Sequence, residues 1–242
     1  MRLSTFLLFL GVFLFVLPGA EAQYRRGKKR QKREPIFGAG VVAGYQVSQI
    51  DGDEFTGFDL PGFSAGLRGV IRFTRHDQLR MELLYSQQGS RIEYNTNQGT
   101  ALGRDRLLRL NYAEVPFLYY HKLSDNEQGH GPGIEVGLAV GRMLNYRIEE
   151  DESRIRGELF TDLADNFNRT QISAVAGLSH RFNPQIELSL RASGALTKFY
   201  FNEEVREQRL NPSFSDFYGI GTDQYEFLRN LSVNITASYV FL

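Results

Sequence analysis

The 242-residue chain contains no cysteine and no tryptophan, and its 28 lysine and arginine residues equal its 28 aspartate and glutamate residues. The absence of cysteine excludes a disulfide-stapled scaffold, a thiol nucleophile and a cysteine-based zinc site. A mean hydropathy of −0.32 excludes a bundle of membrane-spanning helices, because each span needs about 20 consecutive apolar residues. The zero net charge argues against a dedicated nucleic-acid-binding protein, which usually carries a basic surplus.

Residues 1–22 have the composition of a secretory signal peptide. Arg2 precedes an uninterrupted run of apolar residues and glycine at 6–17, and residues 20–22 have the small-x-small pattern of a cleavage site. The alternative is an uncleaved membrane anchor, which is the weaker hypothesis because the apolar run is short for a span. We therefore predict that the chain is exported and that the mature protein begins at Gln23.

Residues 23–35 are predicted to form a basic disordered arm. Seven of the ten residues at 24–33 are lysine or arginine, and none is a large aliphatic residue, so the segment cannot contribute to an apolar core. A solvated tail is the simplest interpretation. The sharper hypothesis is an electrostatic contact with anionic lipid headgroups or with an acidic protein partner.

Residues 36–242 are predicted to form one all-β domain of about eight strands, because apolar and polar residues alternate along most of its length. The last segment shows this most clearly, since every second residue from Leu231 to Phe241 is apolar or aromatic. The strand-like segments are 37–50, 63–73, 79–86, 106–122, 134–148, 169–182, 185–196 and 230–241.

Three features favour a transmembrane barrel over a soluble sandwich or a soluble barrel. Most segments exceed ten residues, whereas soluble strands cluster near 5–6. Charged residues occupy the centre of the polar face, as expected if the apolar face meets lipid. The connections at 51–62, 95–105, 149–168 and 202–226 are long, whereas 75–78 and 183–184 are short and 124–133 is intermediate. We predict an antiparallel up-and-down barrel with short periplasmic turns and long extracellular loops, closed because open strand edges are costly in lipid.

The polar face predicts a network of charges inside the barrel. An eight-stranded barrel is just wide enough for side chains to fill it, so inward arginines and glutamates should pair and leave no open pore. A structural network is the simpler interpretation, and a gated narrow conduit is the functional one. The predicted members are Arg68, Arg72, Arg80, Glu82, Arg109, Glu114, Glu135, Glu187 and Arg191.

Two segments depart from simple alternation. In 106–122 the apolar phase changes after Tyr112, and a β-bulge near Ala113 and Glu114 would restore one lipid-facing side. Arg142 lies on the apolar phase of its own segment, which indicates a second bulge or an interfacial position. Aromatic residues at segment ends are predicted to form interfacial girdles, and they are Phe37, Phe63, Phe73, Tyr85, Phe182, Phe199, Tyr239 and Phe241.

No pattern predicts catalysis, a metal site or a cofactor site, and we expect no enzymatic activity. The four histidines fall in turns or near strand ends without the serine and aspartate of a catalytic triad. Residues 51–54 (Asp-Gly-Asp-Glu) lack the ligand spacing and the distal glutamate of a calcium loop. We interpret them as a solvated acidic loop.

The sequence resembles the PorT-like outer-membrane β-barrel family of Bacteroidota over about residues 37–242. The resemblance rests on residues 44–53 (GYQVSQIDGD), 61–66 (PGFSAG), 81–89 (MELLYSQQG) and 110–116 (LNYAEVP). It implies an outer-membrane barrel, and the namesake of the family takes part in protein secretion. An aromatic near the carboxyl terminus, here the penultimate Phe241, is typical of barrels recognised by the barrel assembly machinery.

The functional expectation is a non-enzymatic outer-membrane protein with a filled lumen that serves envelope structure or partner binding. Its expected partners are outer-membrane lipid, the barrel assembly machinery and a protein that contacts the extracellular loops or the basic arm, and nucleic acid is not among them. Two alternatives stay open. One is a narrow porin-like pore for small solutes, and the other is a soluble, lipocalin-like carrier of an apolar ligand.

Overall fold

A computed structural model describes residues 35–53, 57–92, 106–124, 130–150, 159–210 and 225–241. The predicted signal peptide and almost all of the predicted basic arm lie outside these residues. Within the described part, no helix is long and apolar enough to cross a membrane.

The described residues form eight long strands and one strand of two residues, which confirms the predicted all-β architecture. Several strands extend beyond their predicted ends, above all β3, whose alternation continues past the predicted end at residue 86. The strands are β1 Phe37–Asp51, β2 Leu60–Arg72, β3 Asp77–Ile92, β4 Arg106–Lys122, β5 Gly131–Glu150, β6 Thr170–Arg181, β7 Ile186–Ala195, β8 Tyr200–Phe201 and β9 Phe227–Phe241.

The eight long strands close into a ring. Each pairs antiparallel with its neighbours in sequence, and β9 pairs with β7 on one side and with β1 on the other. The closing register runs from Ala39 opposite Phe241 to Asp51 opposite Arg229. The short β8 pairs only with the beginning of β9, outside the ring. Closure therefore gives every long strand a hydrogen-bonded neighbour on both sides.

The two ends of the barrel differ in the length of their connections. We call one end the turn rim, because it holds the short connections 73–76, 123–130 and 182–185 together with the outer ends of β1 and β9. The other end is the loop rim, where β1, β3, β5 and β7 end and β2, β4, β6 and β9 begin; in the sequence these strands are separated by residues 52–59, 93–105, 151–169 and 196–226. The loop-rim connections contain helix α1 (Phe160–Leu163), a 3-10 turn (Ala164–Asn166), β8 and helix α2 (Glu203–Leu210).

The outward face of the ring is an apolar belt. Alternation places large apolar side chains on the outside of every long strand, half or more exposed in many cases. Since these side chains stay exposed among the described residues, the belt requires an apolar surrounding. Representative members are Val41, Leu67, Met81, Leu83, Phe117, Val136, Leu138, Leu178, Ile186 and Ile235.

The bulge predicted at Ala113 and Glu114 of β4 is absent from this described strand, so that prediction is wrong. Burial alternates without interruption along β4, so that Leu108, Leu110 and Tyr112 are fully buried inside the barrel. Their apolar character does not mark a lipid-facing side, because they contact apolar residues within the lumen.

The irregularity lies on the neighbouring strand. Asn111 pairs with Asn145 and Tyr112 with Met143, so Leu144 is the extra residue of a bulge on β5. Arg142 lies just before this bulge on the outward face, where its Nη1 donates a hydrogen bond to Oγ1 of Thr170 at 2.9 Å. A bulge does lie close to Arg142, but because it follows this residue, Arg142 stays on the outward phase that it shares with Leu138 and Val140.

Candidate functional site

Seven charged side chains meet inside the half of the barrel nearer the turn rim, and we call them the central network. Five strands contribute to it: β3 and β7 supply two residues each, and β2, β5 and β6 supply one each. Each residue is less than a tenth exposed. The members are Arg68, Arg80, Glu82, Glu135, Arg181, Glu187 and Arg191.

Arg191 makes the densest set of contacts in the central network. Its Nη1 and Nη2 donate to Oε2 and Oε1 of Glu82 at 2.7 and 2.9 Å. Its Nε and Nη2 donate to Oε1 and Oε2 of Glu135 at 2.6 and 3.2 Å. The planar guanidinium therefore joins β3, β5 and β7 across the lumen, a geometry that a lysine could not reproduce.

Arg80 forms a second junction. It donates from Nη1 and Nη2 to the two carboxylate oxygens of Glu187 at 2.7 and 2.6 Å, and from Nη1 to Glu135 at 3.0 Å. Its guanidinium carbon also lies 3.7 Å from the centre of the Tyr120 ring, a cation–π contact. Arg68 links the same groups, since it donates to Glu82 at 2.8 Å and to Glu187 at 3.2 Å.

The central network is a single connected structure and not a set of separate ion pairs. Each glutamate accepts from at least two arginines, and Arg181 lies 3.7 Å from Glu187 at the edge of the cluster. Removing charges from water costs several kcal/mol for each ion, and only extensive pairing offsets this cost. Sharing the three carboxylates among four guanidinium groups meets that condition.

Eight of the nine predicted lumen residues are buried, and they fall into three groups. Six meet in the central network: Arg68, Arg80, Glu82, Glu135, Glu187 and Arg191. Arg72 lies at the turn rim, where its Nη1 donates to the carbonyl oxygen of Pro35 at 2.9 Å. Glu114 points inward but lies in a separate polar layer.

Arg109 is on the opposite side of the wall from the one predicted. It is half-buried on the outward face of β4, because the neighbouring Leu108 and Leu110 take the inward positions. Sequence reasoning also missed Arg181, although it shares the polar phase of its segment with Ser179 and could have been found on that basis.

Above the central network, amide side chains form a polar layer. Gln88 donates to Oε1 of Glu114 at 2.7 Å, and Gln171 donates to Gln88 at 3.3 Å. Asn230 then donates from Nδ2 to Gln171 at 2.6 Å and to the hydroxyl of Tyr112 at 3.1 Å. This chain of hydrogen bonds spans β3, β4, β6 and β9, so it ties opposite walls of the barrel together.

An apolar cap fills the lumen at the loop rim. Side chains from α1 and from the loops pack onto inward residues of the wall, and each is less than a tenth exposed. The predicted girdle residue Phe199 is one of them, so its girdle assignment is wrong: it is 1% exposed and stacks edge-on against Phe167. The cap comprises Ile50, Leu108, Leu110, Tyr112, Met143, Phe160, Leu163, Ala164, Phe167, Phe199, Tyr200, Tyr225 and Leu228.

The end of β5 anchors the cap. Oε1 of Glu150 accepts from the backbone N–H of Phe160 at 2.9 Å, and Oε2 accepts from that of Thr161 at 3.1 Å. A carboxylate at the first turn satisfies amides that lack helical partners. Nη2 of Arg106 forms an ion pair with Oε1 of Glu150 at 2.6 Å. The guanidinium carbon of Arg106 also lies 4.2 Å from the centre of the Phe160 ring. Sequence reasoning treated this segment as a loop, although Phe160, Leu163 and Phe167 follow helical spacing.

Comparison with known families decides what kind of barrel this is. A family model described as "Outer membrane protein beta-barrel domain" matches residues 22–201. The chain belongs to this family. The outward apolar belt of the outer-membrane barrel therefore faces lipid. The matched range ends before β9, the strand that closes the ring.

Solved outer-membrane proteins resemble this outer-membrane barrel at low sequence identity. The attachment invasion locus protein Ail of Yersinia pestis is 10% identical, with a TM-score of 0.42, over 84% of this chain and 98% of that chain. Neisserial surface protein A is 12% identical, with a TM-score of 0.43, over 84% and 97%. OprG of Pseudomonas aeruginosa is 9% identical, with a TM-score of 0.34, over 85% and 94%. No curated protein sequence matches the chain.

The acidic segment after β1 is only partly solvated in this outer-membrane barrel. Asp51 pairs with Nε of Arg229 at 2.6 Å. Asp53 is 1% exposed and accepts from the Ser90 hydroxyl at 2.8 Å, so the solvated-loop interpretation is wrong for this residue. Glu54 lies outside the described residues.

The described histidines occupy turns and strand ends. Nδ1 of His121 lies 2.8 Å from the carboxylate of Asp77 at the turn rim, and His180 packs against the ring of Phe182. In the described ranges, no group of three or more histidine, aspartate and glutamate side chains is arranged to hold a metal ion.

Proposed function

We infer that this outer-membrane barrel is a non-enzymatic protein that acts through its surfaces, in envelope structure or partner binding, and does not conduct solutes. The observation that carries this proposal is the filled lumen. A solute would have to pass the central network, the polar layer and the apolar cap in turn. Each of the first two joins opposite walls through direct side-chain contacts.

The chemistry of the lumen also argues against the two alternatives. A porin-like pore needs a continuous aqueous path, whereas Arg191 alone makes four hydrogen bonds across this lumen. A carrier of an apolar ligand needs an apolar lumen, whereas the centre of this one is ionic. The apolar cap lies only at the loop rim and is filled by the chain's own side chains.

The loop rim is the surface best suited to a protein partner. The four long connections predicted from the sequence carry formal charges of −4, 0, −5 and −4. A partner with a basic surface would be attracted to this rim. The resemblance to PorT-like proteins supports a role in secretion, with the loop rim outside the cell, a cleaved signal peptide at 1–22 and the basic arm in the periplasm. Phe241 would then serve recognition by the barrel assembly machinery.

Recording from planar bilayers tests the filled lumen. We expect the purified barrel to give no steady conductance. A variant with Arg80→Ser, Glu82→Ser and Arg191→Ser removes the side chains that bridge the lumen, and channel activity in this variant would show that the assay detects an opened barrel. Steady, ion-selective conductance by the unaltered protein would overturn the proposal in favour of a pore.

The absence of native cysteine makes partner binding directly testable. A single cysteine at Asp165 (loop rim) or at Arg75 (turn rim) can carry a photo-crosslinker, and both positions are exposed. We expect a protein adduct from the loop-rim position alone, which weakens when Asp162→Asn is added or when salt is raised. An adduct that is insensitive to both changes would contradict recognition of a basic partner.

A further inference from the structure

Five arginines lie close to the loop rim on the outer surface of neighbouring strands, where the apolar belt ends. We call them the arginine patch. Arg109 is half-buried, and the others are exposed. No part of the proposed function uses them. Arg109 was predicted to point into the lumen, and the position of Arg142 on an apolar phase was not accounted for by the alternation. The members are Arg91, Arg109, Arg142, Arg147 and Arg169.

Strand register brings the patch together. Arg109 on β4 lies directly opposite Arg147 on β5. Arg91 on β3 lies opposite Leu107, so it is a diagonal neighbour of Arg109. Arg142 lies opposite Thr170, and Met143 donates its backbone N–H to the carbonyl of Arg169 at 2.7 Å.

The β5 bulge is what places two of these arginines on the same side. Arg142 and Arg147 are five residues apart, and in a regular strand residues at an odd spacing face opposite sides. The extra residue Leu144 restores a shared outward face. The bulge thus has a consequence for surface chemistry, because it keeps a positive charge outside the barrel.

Among the described residues, the strand arginines Arg109, Arg142 and Arg147 outnumber the carboxylates beside them. On the outward faces of these strand ends, Glu149 is the one acidic residue in the described part, and it pairs with Arg147 at 2.5 Å. Like charges placed directly opposite each other, as in Arg109 and Arg147, destabilise a sheet. The covered Nε of Arg109 also has no hydrogen-bond partner among the described residues. An external anion would relieve the repulsion and satisfy this donor.

We propose that the arginine patch binds the phosphate groups of an anionic lipid headgroup in the leaflet at the loop rim. Immediately below the patch, Leu138 and Val140 on β5 and Leu83 on β3 are exposed to the lipid chains. The arginines therefore lie at the depth of the headgroups. Guanidinium groups match phosphate geometry in pairs of hydrogen bonds, and basic clusters at this depth recognise anionic lipids.

This inference rests on the membrane position of the apolar belt and not on the proposed partner at the loop rim. Its test uses the full barrel in nanodiscs and native mass spectrometry. The probes are a lipid with a phosphorylated headgroup and a neutral lipid with the same acyl chains. We expect the unaltered protein to retain the phosphorylated lipid selectively.

The decisive variant is Arg109→Gln, Arg142→Gln and Arg147→Gln combined. We expect it to lose at least about tenfold in selective retention, since each surface arginine contributes a few-fold. The matched control is Arg75→Gln, Lys198→Gln and Arg206→Gln, which removes the same charge at exposed positions outside the patch and should retain the lipid. Heat-modifiable gel migration verifies that each barrel is folded, and Arg142→Gln alone replaces the triple variant if that variant fails to fold.

Three results would overturn the proposal. Equal retention by the triple variant and the unaltered protein would show that the patch does not bind the lipid. An equal loss in the control would show a general effect of net charge. Binding of the isolated phosphorylated headgroup, without acyl chains, as tightly as the intact lipid would identify a site for a soluble anion.

Discussion

The substitution Glu82→Gln should reveal how strongly the central network stabilises the barrel. Glu82 is 1% exposed and accepts three hydrogen bonds, one from Arg68 at 2.8 Å and two from Arg191 at 2.7 and 2.9 Å. Glutamine keeps the shape of the side chain. It removes the charge, however, and directs an amide donor toward guanidinium donors.

The expected cost follows from the charge of the network. Four arginines and three glutamates leave an excess of one positive charge, and Glu82→Gln raises that excess to two. Breaking a buried ion pair by removing one partner costs about 3–5 kcal/mol, because the other charge stays buried without compensation. We therefore expect the free energy of unfolding to fall by about that amount.

Urea unfolding of the barrel in lipid vesicles, followed by its heat-modifiable gel migration, measures this change. The matched control is Glu149→Gln, which breaks an ion pair of 2.5 Å between side chains that are 51% and 70% exposed. This exposed pair should contribute no more than about 1 kcal/mol. The double variant Glu82→Gln and Arg191→Met should be less destabilised than the two single changes predict together. Equal costs at Glu82 and Glu149 would refute the account of a coupled, buried network.

Three further substitutions test the belt, the cap and the strand packing. Leu138→Arg should lower the free energy of unfolding by about 2–4 kcal/mol if this position is near the middle of the membrane. Leu123→Arg, at a similarly exposed position in a turn, should change it little. Equal changes for the two variants in vesicle unfolding would show that the apolar belt does not lie in the membrane as described. Phe160→Ala should lower the free energy of unfolding by about 3–5 kcal/mol, because packing in the cap is lost, and it should speed amide hydrogen exchange in α1. Unchanged exchange would show that the cap does not stabilise this helix. Gly137→Ala should prevent normal folding, because the added Cβ would lie 1.9 Å from the carbonyl oxygen of Phe117. The control Gly69→Ala should fold normally, because the nearest atom to its Cβ, the carbonyl oxygen of Met81, is 3.8 Å away. Heat-modifiable gel migration shows whether each variant folds.

The fold could be predicted from the sequence because every strand of a membrane barrel has the same alternation of outward apolar and inward polar residues. Alternation with a period of two identifies both faces, and the lengths of the connections identify the two rims. Six of the nine predicted lumen residues meet in one network for the same reason. Each lies on the inward-facing phase of its strand, in the part of the barrel where the lumen is polar.

Residues near the loop rim were harder to predict, because there the interior is no longer polar. Leu108 and Leu110 are apolar yet point inward, since loop residues such as Phe160 fold back over them. An apolar phase was therefore read as lipid-facing, and Arg109 was assigned to the lumen. Local alternation cannot distinguish lipid from an apolar cap supplied by a segment some 50 residues away. The bulge was placed on β4 instead of at Leu144 on β5 for the same reason, because the apolar residues of β4 near the loop rim were taken to face lipid.

The closing strand has a consequence for how the barrel forms. β1 and β9 join residues as far apart in sequence as Ala39 and Phe241, so the ring cannot be completed before the last strand has been synthesised. Pairing of such distant segments is slow because loop-closure entropy opposes it. Until β9 is in place, β1 and β7 each expose a row of unpaired amides and carbonyls, which bind other strands readily in water and are costly in lipid. Until the 15-residue β9 has paired with both neighbours, the chain therefore needs protection from aggregation.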